Sequence, residues 1–256
     1  MPGSTTSHKW AAIVGIISIL LIWQAAAVLI NLPLILPSPW ATLLQIKNLV
    51  MTHNFWAHLG ATLRRGVTGF GLSLLLGLGL GLLAGKSELV QAFLRPFVIL
   101  IRSAPVVSII ILALIWFKRE TVPIFVVLLM VFPIIFQNVV EGVRRVDPEL
   151  LEMVHLYQVR PWLIFTRLTL PSLIPFLAAG ISNSLGITWK VLVAAEVLSY
   201  PTWGIGAQID TARVYLQTDL VFAWTVAVIA LGLCFDYLTD FLLKKPFKSQ
   251  KKPYID

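Results

Sequence analysis

The chain has 256 residues, 58% of them hydrophobic and 12% charged, with a mean hydropathy of +0.87 and nine tryptophans. So large an apolar share excludes an aqueous globular domain and points to an all-α integral membrane protein, since helices satisfy their backbone polar groups inside lipid. A lone cysteine, Cys234, excludes a disulfide framework, and His8, His53, His58 and His155 lack ligand spacing. No nucleophile stands near a base, so the chain is not expected to be an enzyme, and the net charge of +8 is read as a membrane signal rather than an affinity for nucleic acid.

The first apolar run, residues 10–30, carries no charge and is about one bilayer long. Lys9 before it and Ala25-Ala26-Ala27 within it would also suit a signal peptide, but the run exceeds the usual signal core and is read as a transmembrane helix. Leu36-Pro37-Ser38-Pro39 breaks it, and Ala41 to His53 follows as a short amphipathic outer helix. The second span covers about 60–85, with Arg64 and Arg65 near one interface. In it Gly77, Gly81 and Gly85 form a strip without side chains that lets another helix come close. A third span is expected over 97–117 with Arg102 inside it, either snorkelling to the interface or facing a pore. The fourth, 121–140, contains Pro123, Pro133, Gln137 and Asn138, which predicts a bent helix with a polar inner end.

Residues 141–170 are the longest polar interval between spans. Four arginines (Arg144, Arg145, Arg160, Arg167) and four acids (Glu141, Asp147, Glu149, Glu152) make it too polar for lipid, so it folds on the membrane surface. Asp147-Pro148-Glu149 opens a short helix, with an N-cap acid, proline at the first helical position and an acid in the first turn. Pro161 opens a second, Trp162 to Leu170, hinged to the first at Gln158–Arg160. The bland alternative is an amphipathic interfacial loop with no partner. The fifth span, 171–195, places Asn183, Gly186 and Lys190 on one face, with Glu196 just beyond it. The sixth, 220–243, ends in a basic tail. Six spans put both termini on one side. With the termini and the 141–170 loop in the cytoplasm, twelve basic residues lie inside against six outside (Lys47, Arg64, Arg65, Lys118, Arg119 and Arg213), as the positive-inside rule asks.

The 141–170 loop resembles the coupling loop of ABC importer permeases, whose pattern is Glu-Ala-Ala, three residues, Gly, nine residues, Ile, any residue, Leu-Pro. Glu152 holds its first position, Leu168 stands for the isoleucine, and Leu170-Pro171 fall at the family spacing, while Met153, Val154 and Gln158 replace the small residues. Gly142-Val143-Arg144, Arg160-Pro161-Trp162, Trp56-Ala57-His58-Leu59, Thr62-Leu63-Arg64-Arg65, Arg102 with Pro105, and Gly204-Ile205-Gly206 add to the likeness, especially to the sulfonate, taurine and nitrate branch.

The resemblance implies a single permease domain over 1–256, six spans of the type I importer kind, and an inner-membrane location. It implies a second permease subunit (a homodimer by default, a heterodimer where the altered motif calls for one), two cytoplasmic ATPases that carry ATP and magnesium, and an external solute-binding protein. The chain itself has no phosphate-binding glycine loop. On this reading Glu152, Met153, Val154, Tyr157, Gln158 and Arg160 meet the ATPase, and Arg102, Asn183, Lys190 and Glu196 are the path candidates for a sulfonate, nitrate, bicarbonate or thiamine-precursor type of solute. A lysine within a span costs roughly 2.5–3.5 kcal/mol, so Lys190 either lines a hydrated path or bonds a group on another helix. The alternative class is an ion-coupled secondary transporter, which would want inverted repeats or paired intramembrane acids.

Overall fold

The computed structural model describes residues 5–247, and among these every element is helical. Helix α1 (Thr5–Ile30) is the most loosely held, with Ala27 enclosed and Trp23 stacked on Phe222 at 5.5 Å between ring centroids. Helix α2 (Pro39–Val50) follows the proline break; Ser38 caps it by accepting the Ala41 N–H at 3.2 Å, and Gln45 donates to Asp219 at 2.8 Å, tying it to the start of the last helix.

The core is the seam between α3 (His53–Lys86) and α6 (Val122–Arg144). Glycine recurs on one face of α3, and β-branched residues recur at matching intervals on α6. A Cβ at Gly77 would lie 2.7 Å from the Ile135 side chain, one at Gly81 2.8 Å from Val139, and one at Gly85 2.6 Å from Val143. Such approach is possible only where α3 has no side chain, so the strip sets the spacing of the two helices and admits the α6 residues as knobs. Val127, Val131, Ile135 and Val139 are wholly enclosed there, with Leu173, Trp189 and Leu192 of α9 (Leu170–Ser199) closing the cluster.

The third span departs from expectation. The segment 97–117 is not one straight crossing: α4 (Glu88–Ser103) and α5 (Val106–Trp116) meet at 102°. Pro105 lacks an N–H and pushes Ala104 into an extended conformation, which ends α4 and restarts the chain as α5. Among the described residues five helices are long and apolar enough to cross a bilayer, and counting the broken pair as one span makes six. Pro133 lies within α6 and does not interrupt it.

A second departure lies after the surface loop. Helix α7 (Pro148–Leu156) forms as expected, but α8 (Pro161–Ile164) does not end at Leu170-Pro171. It passes through a π turn (Phe165–Thr169) straight into α9. There the Leu170 N–H reaches back five residues to Phe165 O, and this widened register gives the Pro171 ring room where an ordinary turn would clash. Helix α10 (Ile205–Val214) and α11 (Thr218–Phe247) are the last of the described elements.

Candidate coupling face and solute path

Helix α7 projects from the end of α6 and has no buried residue. Asp147 accepts the Glu149 N–H at 2.9 Å, as an N-cap acid should. Glu152 and Arg160 are exposed and Val154 is half-buried, while Met153 and Tyr157 are 47% and 74% exposed. Leu156 adds further bare apolar surface. The helix stops in a Schellman turn: Val159 N–H reaches Val154 O and Gln158 N–H reaches His155 O, each at 3.0 Å, with Gln158 at φ +52°. A glutamine therefore occupies a left-handed position where glycine is favoured. Gln158→Gly relieves that strain and is expected to raise stability by up to about 1 kcal/mol; a lowered thermal midpoint of the purified protein would show that the glutamine side chain itself holds the hinge.

Behind α7 lies a cavity of ≈ 710 Å³ bounded by the C-terminal ends of α3 and α6 and by α8. Lys86 Nζ, at the end of α3, sits 5.1 Å above the Phe165 ring, so the last turn of the core helix touches the π turn that leads into α9. The segment that follows α8 is thus in contact with α3 and continuous with α9.

The four path candidates divide. Asn183 and Lys190 are exposed on α9, with Gly186 between them half-buried, so they share an outward face as their spacing requires. Among the described residues Lys190 has no hydrogen bond or ion pair within the chain. Arg102 is exposed at the last turn of α4, beside the α4–α5 break, and donates to Gln137 on α6. Glu196 is the exception. It points from the opposite face of α9 into the protein and is wholly buried, which removes it from any surface that a second subunit or a solute could reach.

Glu196 instead centres a polar cluster at the end of the bundle away from α7. Its carboxylate accepts from Arg65 at 2.8 Å, from the Thr62 hydroxyl at 2.9 Å and from the Gly206 N–H at 3.0 Å. Arg65, 1% exposed, also donates to Trp203 O and to the Glu120 carboxylate. His58 Nδ1 accepts the Gly204 N–H at 3.0 Å while its ring lies against Trp203 and Trp224. Four elements are pinned together in this way: α3, the turn at Glu120, α9, and the segment that leads into α10. Gly206 allows it, because a Cβ there would lie 2.5 Å from Glu196 Cβ and from Val193 O. Partial burial works against the Glu120 carboxylate, but the Thr202 N–H and the Arg65 guanidinium prevail and hold its carboxyl below the ordinary range. Its contribution is complete above the ordinary carboxylate pKa and is lost only as pH falls through the lowered value.

His58, Thr62, Arg65 and Glu120 were not legible as one site from their order in the chain. A signal did exist: 58, 62 and 65 follow helical spacing on the face that continues into the glycine strip.

Residues 77–248, which hold most of the glycine strip, the whole of α7 and all of α9, match the family of binding-protein-dependent transport system inner membrane components. The chain belongs to this family. The permease is 31% identical over 232 residues to the putative aliphatic sulfonates transport permease protein SsuC of Bacillus subtilis, covering 90% of this chain and 84% of that one. It is 32% identical over 236 residues to the protein of the same name from Escherichia coli, covering 91% and 88%. It is 29% identical over 226 residues to the taurine transport system permease protein TauC of Escherichia coli, covering 85% and 82%. The permease is thus a multi-pass inner-membrane subunit of a binding-protein-dependent ABC importer, and these relatives are transport permeases rather than enzymes.

Proposed function

We propose that this permease pairs with a second permease subunit to enclose a solute path and transmits ATPase movement to it through α7. The observation that carries this reading is the projecting α7, with an acid, Glu152, amid exposed Met153, Leu156 and Tyr157, held at a defined angle by the turn at Gln158. A surface of that kind is costly to leave in water and suits an apolar groove rimmed by polar groups on a cytoplasmic ATPase. ATP and magnesium belong to two such ATPase subunits, and an external binding protein delivers the solute. Both termini are cytoplasmic, on the side where the basic residues gather. A homodimer is the simplest assembly.

Glu152→Lys tests the coupling. It is expected to leave the membrane helices folded while abolishing solute-dependent stimulation of ATP hydrolysis in the reconstituted importer, because a cation replaces the carboxylate at the contact. Unchanged stimulation would end the assignment of α7.

The solute is a small anion of the sulfonate type, a reading supported by the relatives named for aliphatic sulfonates and taurine and by the unpaired Lys190 on the outward face of α9. Nitrate and bicarbonate share the charge, and a thiamine-type precursor does not. Lys190→Met is expected to lower anion uptake several-fold while the assembly and its thermal midpoint stay as in the wild type. A loss of stability instead would mean that the lysine is a structural pair with the second subunit.

A further inference from the structure

Helix α6 is the most enclosed helix of the molecule, and along its 23 residues it surfaces at three positions, Gln137, Glu141 and Arg144. Their spacing of four and three residues makes them one polar strip on the inner half of an otherwise apolar, packed helix. Opposite the upper part of the strip, α4 presents Gln91, Arg95 and Arg102. The two elements enclose a groove of ≈ 290 Å³. Its floor is apolar, through Val98, Phe136 and Val140, which are buried.

The charges in this groove are unbalanced. Arg102 makes a single hydrogen bond among the described residues, to Gln137 Oε1, which leaves the rest of its guanidinium fork open and leaves the Gln137 amide N–H groups free to donate. Arg95, seven residues or about 10 Å earlier on the same helix, is exposed and has no hydrogen bond or ion pair among the described residues. Glu141 lines the same groove and pairs with neither arginine. Two guanidinium groups and two amides thus converge on a space large enough for a small head group, against one carboxylate at its inner rim.

We propose that the α4–α6 groove is a binding site for a tetrahedral oxyanion head group, with Arg95 and Arg102 as its charged ligands and Gln137 and Gln91 as neutral donors. Guanidinium forks match the edges of sulfonate and phosphate oxygens, and a groove with partly apolar walls strengthens those contacts relative to water. Glu141 keeps the site from becoming a trap: lying toward the cytoplasmic end, it repels an anion that has moved past Arg95, so the anion is released rather than held. The head group has two sources, a sulfonate solute in transit or the phosphate of an anionic lipid. The first of these rests on the importer reading above, and the second does not.

The test uses the complete importer, permease with its ATPase subunits, in phosphatidylcholine nanodiscs with and without phosphatidylglycerol. Binding of radiolabelled butanesulfonate is measured by equilibrium dialysis and bound phosphatidylglycerol by native mass spectrometry. The variants are Arg95→Gln, the pair Arg95→Gln with Arg102→Gln, the charge-keeping pair Arg95→Lys with Arg102→Lys, and Arg64→Gln at the far end of the molecule as control. The glutamine pair is expected to bind at least about tenfold more weakly, as the loss of two charge-assisted contacts requires, with the lysine pair in between and Arg64→Gln unchanged. Weakened butanesulfonate binding assigns the groove to the solute, and loss confined to phosphatidylglycerol assigns it to lipid. Should the glutamine pair fail to assemble, Arg95→Gln decides, since Arg95 holds nothing else in the fold. No binding of either probe to the wild type, or equal binding by the glutamine variants, overturns the site. Binding-protein-stimulated ATPase activity of the wild type in the same discs reports separately on the importer reading.

Discussion

Arg65→Met is expected to destabilise the permease by about 3–5 kcal/mol, the cost of leaving one partner of a buried ion pair alone. The side chain is 1% exposed and serves four acceptors: the Glu196 carboxylate, Trp203 O, the Glu120 carboxylate and the Glu120 backbone carbonyl. Removing it leaves the wholly buried Glu196 with only the Thr62 hydroxyl and the Gly206 N–H, neither of which carries a charge. Glu196→Leu is expected to cost less, because Arg65 keeps Glu120, which lies partly in water. The double variant should cost less than the sum of the two, since no uncompensated charge remains. Thermal midpoints of the purified protein, with fluorescence of Trp203 as a local reporter, check the order. If Arg65→Met melts with the wild type, the cluster is hydrated and loosely coupled. The same experiment reports on the segment entering α10, which the cluster anchors through Trp203 O, the Gly204 N–H and the Gly206 N–H.

Gly81→Leu is expected to prevent a stable permease from forming, and Gly79→Leu to be accepted. A single residue separates these positions, yet they face opposite ways. A Cβ at Gly81 would lie 2.8 Å from Val139 and 3.1 Å from Phe136 O, whereas one at Gly79 has nothing within 4 Å. Rotating Val139 relieves part of the clash, but the Phe136 carbonyl belongs to the backbone of α6 and cannot turn away. Overpacking commonly costs about 1–3 kcal/mol for an added methylene or two. A leucine adds four carbons, so the two helices must part and the whole cluster around Ile135 and Leu192 opens. Gly81→Ala should fall between. Yield after gel filtration and thermal midpoint are the measurements, and equal values for the Gly81 and Gly79 leucine variants would show that the seam yields without cost.

The order of the helices and the turn signals between them were legible in the residues, because each depends on chemistry within a few positions along the chain. Asp147-Pro148-Glu149 starts a helix wherever it stands, and Gly77, Gly81 and Gly85 declare a bare face before any partner is known. What that face packs on was not legible: the match to Val127, Ile135, Val139 and Val143 exists only when α3 and α6 lie side by side. Two departures from the expected helix pattern came from proline. At Pro105 the missing N–H breaks a span that hydropathy alone draws as continuous, and at Pro171 a π turn carries the helix through a proline that composition alone reads as a stop. Glu196 marks the sharper limit. By spacing it is an acid near the end of a span, free to face a path; only the tertiary structure brings Arg65 and Thr62, more than a hundred residues earlier, against its carboxylate. A helix decides which residues share its faces, whereas whether a charged face meets water, a solute or a buried counter-ion depends on which distant helices the packing sets beside it.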